Sequence, residues 1–422
     1  MFTRRSFLQV VSGGLTANIL ARPALAKART HVVVVGGGFG GATCAKYLRL
    51  FDKTLAVTLV TPEPRFLACP FSNAVVVGLQ ELNTLSASYD VLHRRYGVRM
   101  IHAQATDLDP VAHQVRLSNG TKLTYDRLVL APGVEFQWNA LTGYDEVASK
   151  IFPHAWEAGT QTKLLRQQLA AMDDGSLVVI TVPDNPYRCP PGPYERASLI
   201  AYYLKTHKPR SKVLLLDAKD VFTKHELFRA AWSRLYPNHL EWISGSQGGR
   251  VTQVDITTRS VHTEFEEYKP AVANIIPPQR AAAIARSVGL DDGKEWCPIH
   301  ASSFESTVHR GVHIIGDAAI ANPMPKSAFA ANVQAKACAT AIVSLIGGQA
   351  VPPPVLMNTC YSLVAPDYGI SITGVYRAVD DAIQTVPGSD GISPLGASDE
   401  VRASEAAYAR SWYANIMADT FT

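Results

Sequence analysis

The sequence predicts an α/β protein made of two tandem Rossmann-like dinucleotide-binding domains followed by a C-terminal interface module. Three features carry this expectation. A β-branched run, His31 to Val35, enters the glycine turn Gly36-Gly37-Gly38-Phe39-Gly40-Gly41, and Ala42 to Leu50 then has helix-forming composition. A second apolar run, Leu177 to Val182, is followed by a helical stretch from about Glu195 to Lys205 and another strand at Lys212 to Leu216. Pro352-Pro353-Pro354 then sets off the C-terminal remainder. At 422 residues the chain has room for two or three packed units of about 150 residues each. With 47% apolar and 18% charged residues and no long biased tract, it is neither disordered, collagenous nor coiled-coil.

In chain order, residues 1–26 read as an address. Thr3-Arg4-Arg5-Ser6-Phe7-Leu8 precedes a mildly apolar stretch, Leu8 to Leu20, and Ala24-Leu25-Ala26 is a small-x-small cleavage site. This pattern is a twin-arginine export signal cut after Ala26, which places the mature protein in the periplasm, where disulfides are permitted. A membrane anchor needs about 20 apolar residues, and this stretch is interrupted by Ser12, Gly13, Gly14 and Asn18. No later segment reads as long and apolar enough to span, so stable membrane insertion is not expected. The formal charge of +4 includes Arg4, Arg5 and Arg22 of the leader. Without them it nearly vanishes, and no nucleic-acid partner is expected.

The first unit begins with the glycine turn. Gly36, Gly38 and Gly41 fit G-x-G-x-x-G: a tight turn, a close approach of backbone to a pyrophosphate, and close packing of helix on strand, with Phe39 inside the turn. A second strand, Leu55 to Val60, follows at βαβ spacing. Gln114 to Leu117 and Lys122 to Leu130 flank Asn119-Gly120, a hairpin signal. Mixed strands are expected between Arg250 and Glu267, a last buried strand at Val312 to Ile315, and a helix from about Ser327 to Ile346. The expected division is 27–140 with 268–350 as the cofactor domain, 141–267 as the second domain, and 351–422 as the C-terminal module.

The stretch Thr124-Tyr125-Asp126 through Leu128-Val129-Leu130-Ala131-Pro132-Gly133, and Val312-His313-Ile314-Ile315-Gly316-Asp317, resemble the second and third signatures of two-dinucleotide-fold flavoproteins of glutathione-reductase-like architecture. That resemblance implies FAD, with Asp317 on the ribityl chain and Ala105, Gly133 and Gly316 in the cofactor set. The acid usual about 20 residues after the glycine turn is replaced by Thr61, with Glu63 as the alternative ribose ligand. In the second unit the place of a second glycine fingerprint is taken by Pro183-Asp184-Asn185-Pro186-Tyr187-Arg188-Cys189-Pro190-Pro191-Gly192-Pro193. Prolines cannot donate backbone N–H groups to a pyrophosphate, which disfavours NAD(P)H.

Six cysteines stand at 44, 69, 189, 297, 338 and 360. There is no Cys-x-x-Cys-His, so no c-type haem is expected in this chain, and no Cys/His spacing suits a metal such as zinc. Cys44 and Cys338 read as buried thiols of Ala-rich helices, and Cys297, on a loop, is left open. Sequence does not fix which cysteines pair.

Phe66-Leu67-Ala68-Cys69-Pro70-Phe71-Ser72-Asn73, Cys189-Pro190-Pro191-Gly192-Pro193-Tyr194-Glu195-Arg196-Ala197, Asn358-Thr359-Cys360-Tyr361-Ser362 and the run from Gly316-Asp317 to Lys326-Ser327 resemble the flavoprotein subunit of flavocytochrome c sulfide dehydrogenase. The resemblance covers nearly all of the mature chain. It implies FAD held through an 8α thioether at Cys69 and a redox disulfide between Cys189 and Cys360. The helix after Lys326 would point at the pyrimidine edge of the flavin. It also implies sulfide oxidation to sulfur or polysulfide, with a c-type cytochrome subunit as partner in a heterodimer. Glu195 is either a general base or an ordinary first-turn helix acid. Rival readings are a membrane-associated sulfide:quinone oxidoreductase, a flavin-dithiol accessory protein acting on a sulfur-oxidation partner, and, last, an NADH-dependent disulfide reductase. The segment Ser398 to Phe421 carries Asp399, Glu400, Glu405 and Asp419, too acidic for a membrane-surface helix and suited to packing on protein.

Overall fold

The computed structural model describes residues 29–291 and 293–422; the expected export signal, residues 1–26, lies outside them. Three sheets organise the chain. In the first, five parallel strands run in the order Val312–Ile314, Arg127–Leu130, His31–Val35, Ala56–Thr61, Arg99–His102. Val32, Val33 and Val34 are wholly buried, as a parallel strand covered on both faces requires. The strand Val312–Ile314 returns to this sheet after the whole second unit has been made, so the first unit is discontinuous in sequence.

The second sheet is also parallel, in the order Leu240–Ile243, Lys212–Asp217, Leu177–Val182, Val272–Ile275. It extends past residue 267, because Val272–Ile275 pairs with Leu177–Val182. The third sheet is antiparallel and built on two long strands, Val355–Ala365 and Tyr368–Val379. It packs against the helices Gly192–His207 and Ala328–Ile346, one from each of the other units.

Two helices form the spine of the first unit. Phe39–Phe51 lies along Ala328–Ile346, with Ala42, Ala45, Ala335 and Ala339 all buried without exposure; small side chains let the two backbones approach. By length and apolarity Ala328–Ile346 does qualify as a spanning helix, contrary to the expectation from sequence. Its apolar surface is used in this packing. The C-terminal helix, Asp399–Phe421, ends on the same spine: Asn332 Nδ2 donates to Asp419 Oδ2 at 2.8 Å and to Thr43 Oγ1 at 3.0 Å, and Tyr47 Oη donates to Asp419 Oδ1 at 2.7 Å. Phe421 then stacks on Phe66 at 4.9 Å and lies 6.2 Å from Phe39.

Gly41 is where the glycine turn is least forgiving. A Cβ there would stand 1.8 Å from the Gly36 carbonyl oxygen, whereas one at the exposed Gly396 would meet nothing within 4 Å. Gly41→Ala is therefore expected to destabilise the protein by about 3 kcal/mol through overpacking against backbone, and Gly396→Ala to be near neutral. Denaturant unfolding of the two variants checks this.

Candidate active site

A cavity of about 410 Å³ opens at the carboxyl ends of the first sheet's strands, where ligands of open α/β sheets sit. Gly36, Gly38, Phe39, Thr61, Gly133, Gly316 and Asp317 line one end of it, and Cys69, Cys189, Glu195 and Cys360 the other. Two observations test whether the first end suits a dinucleotide such as FAD. The helix Phe39–Phe51 begins at Gly38 with no side-chain cap and no acid in its first turn, which leaves its N–H groups and dipole for an anion. Asp317 Oδ1 is buried without any hydrogen-bond partner, an acceptor facing the place where a hydroxylated chain would run. Burial pushes the Asp317 carboxyl above its ordinary range, opposed by Arg188 and Lys326. The residues present fit the group.

Four residues of the expected cofactor set lie outside this lining. Gly41 supports the turn from behind. Glu63 is exposed beyond the strand that ends at Thr61, and Ala105 opens the strand Ala105–Asp109 of a separate antiparallel meander. Lys326 is turned onto backbone: its Nζ donates to the carbonyls of Asp317 at 2.7 Å and Ala319 at 2.9 Å and lies 3.9 Å from the centre of the Trp296 ring. Burial lowers its ammonium pKa to about 8.

Three cysteines from three parts of the chain converge. Cys69 lies between the strand Arg65–Leu67 and the short helix Ser72–Val76, with Sγ 3.9 Å from the Trp156 carbonyl oxygen. Cys189 adopts left-handed backbone, φ 58°, held by donation from its N–H to the Lys326 carbonyl at 2.8 Å and from the Gly192 N–H to its own carbonyl at 2.8 Å. Gly192 is needed there, since a Cβ would stand 2.7 Å from the Trp156 ring and 3.1 Å from Cys189 Sγ. Cys360 comes from the third sheet, opposite Ile372. All six cysteines are thiols in the structure. Burial pushes the Cys189 and Cys360 thiols up. Cys44 and Cys338 meet inside the helical spine, fully buried. Cys297 is buried too, its N–H donating to the Ala318 carbonyl at 2.9 Å, and burial lifts its thiol to about 12.

Glu195 sits in the first turn of the helix Gly192–His207, facing the cavity rather than solvent. Its Oε2 accepts from Asn73 Nδ2 at 2.9 Å and its Oε1 from the Leu363 N–H at 2.8 Å, and burial raises its pKa. Sequence reasoning missed the residues that hold this end together. Arg196 donates to Asn73 Oδ1, to the carbonyls of His154 and Ala155 and to Asn274 Oδ1. Arg188 lines the cavity and donates to the Trp156 carbonyl. Both flank the Cys-Pro-Pro-Gly-Pro motif, so a cation beside a candidate reactive cysteine was the available signal. Trp156 and Asn73 gave none.

The fold and this site define a flavin-dependent oxidoreductase of the pyridine nucleotide-disulfide type. Family profiles agree: "Pyridine nucleotide-disulphide oxidoreductase" matches residues 30–180, "Sulfide dehydrogenase [flavocytochrome c] flavoprotein chain, central" residues 162–277, and "Flavocytochrome c sulphide dehydrogenase, flavin-binding" residues 352–421. The chain belongs to the flavocytochrome c sulfide dehydrogenase flavoprotein family. It is 68% identical over 45 residues to the flavoprotein chain of that enzyme from Chlorobaculum thiosulfatiphilum, 11% of this chain and 94% of that sequence. It is 32% identical over 183 residues to the sulfide-quinone reductase of Aquifex aeolicus, 43% of this chain and 41% of that protein, so the match spans less than half of either. The solved sulfide:quinone oxidoreductase from Aquifex aeolicus shares the fold at TM-score 0.66 and 19% identity, covering 92% of each chain.

His154 supplies a pH test of the buried site. It is 3% exposed, its Nδ1 accepts from the Trp156 N–H at 3.0 Å, and burial, with Arg196 and Arg188, lowers its pKa from 6.5 to about 3. The unfolded chain therefore binds a proton that the folded one refuses, and stability falls as pH drops from 6.5 towards 3. At about pH 5 this costs about 2 kcal/mol. Urea unfolding across that window should show a shallower acid slope in His154→Gln.

Proposed function

We propose that this protein oxidises sulfide to sulfur or polysulfide in the periplasm, using a Cys189–Cys360 disulfide beside FAD bound covalently at Cys69, and passes electrons to a c-type cytochrome subunit. The observation that carries this reading is the convergence of Cys69, Cys189 and Cys360 on the one cavity that also holds the glycine turn and Asp317. A disulfide there is an electrophile for HS⁻. Attack breaks the S–S bond, leaves one cysteine as a persulfide and frees the other as a thiolate. Glu195, buried and raised in pKa, is a proton acceptor within the same wall. Bound FAD supplies a two-electron acceptor that can release its electrons singly, which suits a one-electron haem partner.

The second unit's own groove supports a reductant other than NAD(P)H. Asp217 ends the second strand of that unit, where a nucleotide-binding acid would stand, yet it is wholly buried and engaged by Tyr194 Oη at 2.7 Å, Lys219 Nζ at 2.7 Å and Trp242 Nε1 at 3.1 Å. Tyr194 stacks on Phe222 at 3.6 Å, and Phe222 on the Trp242 edge at 5.5 Å. Quinone as acceptor is the second reading, favoured by the likeness to the Aquifex and mouse sulfide:quinone oxidoreductases, the latter 23% identical over 332 residues, 74% of this chain and 70% of that protein.

Anaerobic stopped-flow mixing should bleach the flavin with sulfide and not with NADH, and Cys189→Ser should slow the bleaching by about 100-fold or more. Bleaching by NADH alone would overturn the proposal. Steady turnover with cytochrome c rather than a soluble quinone distinguishes the two acceptors. For the covalent bond, acid precipitation should leave the flavin on the wild-type protein and release it from Cys69→Ala.

A further inference from the structure

We infer that Asn73 is the positioning residue for Glu195: its amide, oriented by Arg196, donates to the Glu195 carboxyl and favours the ionised form that takes a proton from hydrogen sulfide in the cavity. The inference rests on the sulfide reading above and assigns a residue to its proton step.

Asn73 is 8% exposed and stands in the short helix Ser72–Val76, just beyond Cys69, on the cavity wall. Three hydrogen bonds occupy its amide. Arg196 Nε donates to Oδ1 at 2.9 Å, and Nδ2 donates to Glu195 Oε2 at 2.9 Å and to the Gly192 carbonyl at 3.3 Å. A guanidinium has no acceptor, so the opposite amide orientation would set Nδ2 against Arg196 Nε, donor on donor. Arg196 thereby fixes which end of Asn73 faces Glu195. The other carboxyl oxygen, Oε1, accepts from the Leu363 N–H at 2.8 Å, on the strand that carries Cys360. The same Asn73 amide steadies the turn at Cys189, whose carbonyl accepts from the Gly192 N–H at 2.8 Å, so Glu195 and Cys189 are set relative to one another.

Donors to a carboxylate stabilise its charged form, whereas a protonated carboxyl needs an acceptor for its own O–H. Burial works the other way and raises the Glu195 pKa, and the two donors oppose that rise. The ionisable groups that face Glu195 are Arg196 on its own helix, Lys224 ahead of the helix His225–Leu235, Cys189 in the preceding loop and Cys360 on the third sheet. Both cations are engaged elsewhere: Lys224 Nζ on Ser362 Oγ and the Cys360 carbonyl, and Arg196 on Asn73, Asn274 and the carbonyls of His154 and Ala155. Among the described residues Asn73 is the one side chain that hydrogen-bonds the Glu195 carboxyl. Glu195 keeps part of its surface open to the cavity, where a molecule the size of H₂S can reach it. One proton passes from H₂S to a carboxyl oxygen and the S–H bonding pair stays on sulfur. The carboxylate is neutralised as HS⁻ forms, and no electrons are exchanged until HS⁻ attacks the disulfide.

The test compares wild type and Asn73→Asp as holo-proteins, a change that leaves Arg196 its acceptor and turns the donor facing Glu195 into an oxygen. Anaerobic bleaching of the flavin by sulfide is followed across a pH series, and the two rates are compared at each pH so that ionisation of sulfide itself cancels. The ratio of Asn73→Asp to wild type should approach one at alkaline pH and fall about tenfold towards acid pH. This dependence should vanish when Asn73→Asp is made in a Glu195→Gln background. A ratio that is the same at every pH, or a dependence that persists in that background, overturns the inference. Infrared difference spectra of the oxidised holo-protein give a readout independent of turnover. The protonated-carboxyl band that Glu195→Gln removes should appear at higher pH in Asn73→Asp than in wild type, and appearance at the same pH overturns the inference. If sulfide does not bleach the wild-type flavin, the sulfide reading falls and this band alone decides the Asn73 assignment. If Asn73→Asp does not fold, the wild-type band decides: Glu195 ionised near neutral pH supports the inference, and Glu195 protonated there overturns it.

Discussion

The buried guanidinium of Arg196 is the constraint on which the reactive end of the molecule depends. At 2% exposure it would cost several kcal/mol if left unpaired. It is instead held by Asn73 Oδ1 at 2.9 Å, the His154 carbonyl and Asn274 Oδ1 at 3.0 Å each and the Ala155 carbonyl at 2.5 Å, with its plane 4.9 Å from the Trp156 ring centre. Those partners come from different places. Asn73 belongs to the short helix that follows Cys69, His154 and Ala155 to the segment that leads into the second unit, and Asn274 to that unit's edge strand. One side chain therefore locks the helix that follows Cys189 to the loop that carries Cys69. Because hydrogen bonds to a charge are directional and strong, the lock fixes distance and orientation as well as adjacency.

The ionisable groups around the cavity share an environment that discourages charge on all of them. Arg188, Arg196 and Lys224 stand against Asp317, Glu195 and two thiols, and desolvation is the largest influence on each shifted group among them. In such a medium a charge that appears on one sulfur is felt strongly by its neighbours. Lys224 reaches the Cys360 strand through the Cys360 carbonyl and Ser362 Oγ, and Arg188 precedes Cys189 in the chain.

The fold class was legible because its signals are local. A β-branched run, a glycine turn and a helix-forming stretch need only neighbours in sequence, and the same logic brought out Gly36, Gly38 and Thr61 as residues of one cavity wall, whereas Asp317 came through family resemblance. The convergence of Cys69, Cys189 and Cys360 was reachable only through family resemblance, since spacing says nothing about contacts over such separations. Lys326 shows where motif reading stops: its ammonium is spent on the Asp317 and Ala319 carbonyls, and it is its backbone carbonyl that steadies Cys189. Arg196, Trp156 and Lys224 matter through partners drawn from distant segments, which a single sequence does not display. The apolar helix Ala328–Ile346 illustrates the converse, as length and hydropathy alone do not distinguish a core spine from a membrane span.

The second unit shows how a Rossmann-like sheet can be kept while the acid at the end of its second strand is engaged internally. Its parallel sheet is intact, but Tyr194 stacks on Phe222, whose ring meets Trp242 edge-on, and Asp217 is engaged by Tyr194, Trp242 and Lys219. The loop that would have cradled a pyrophosphate instead bends through Cys189, and the helix behind it presents Glu195 and Arg196 to the cavity. The sheet thus serves as a rigid mount for a cysteine, and the third sheet brings the second cysteine over it. The proposed route, in which electrons enter from a small nucleophile that reaches two sulfurs, requires no groove the length of a dinucleotide.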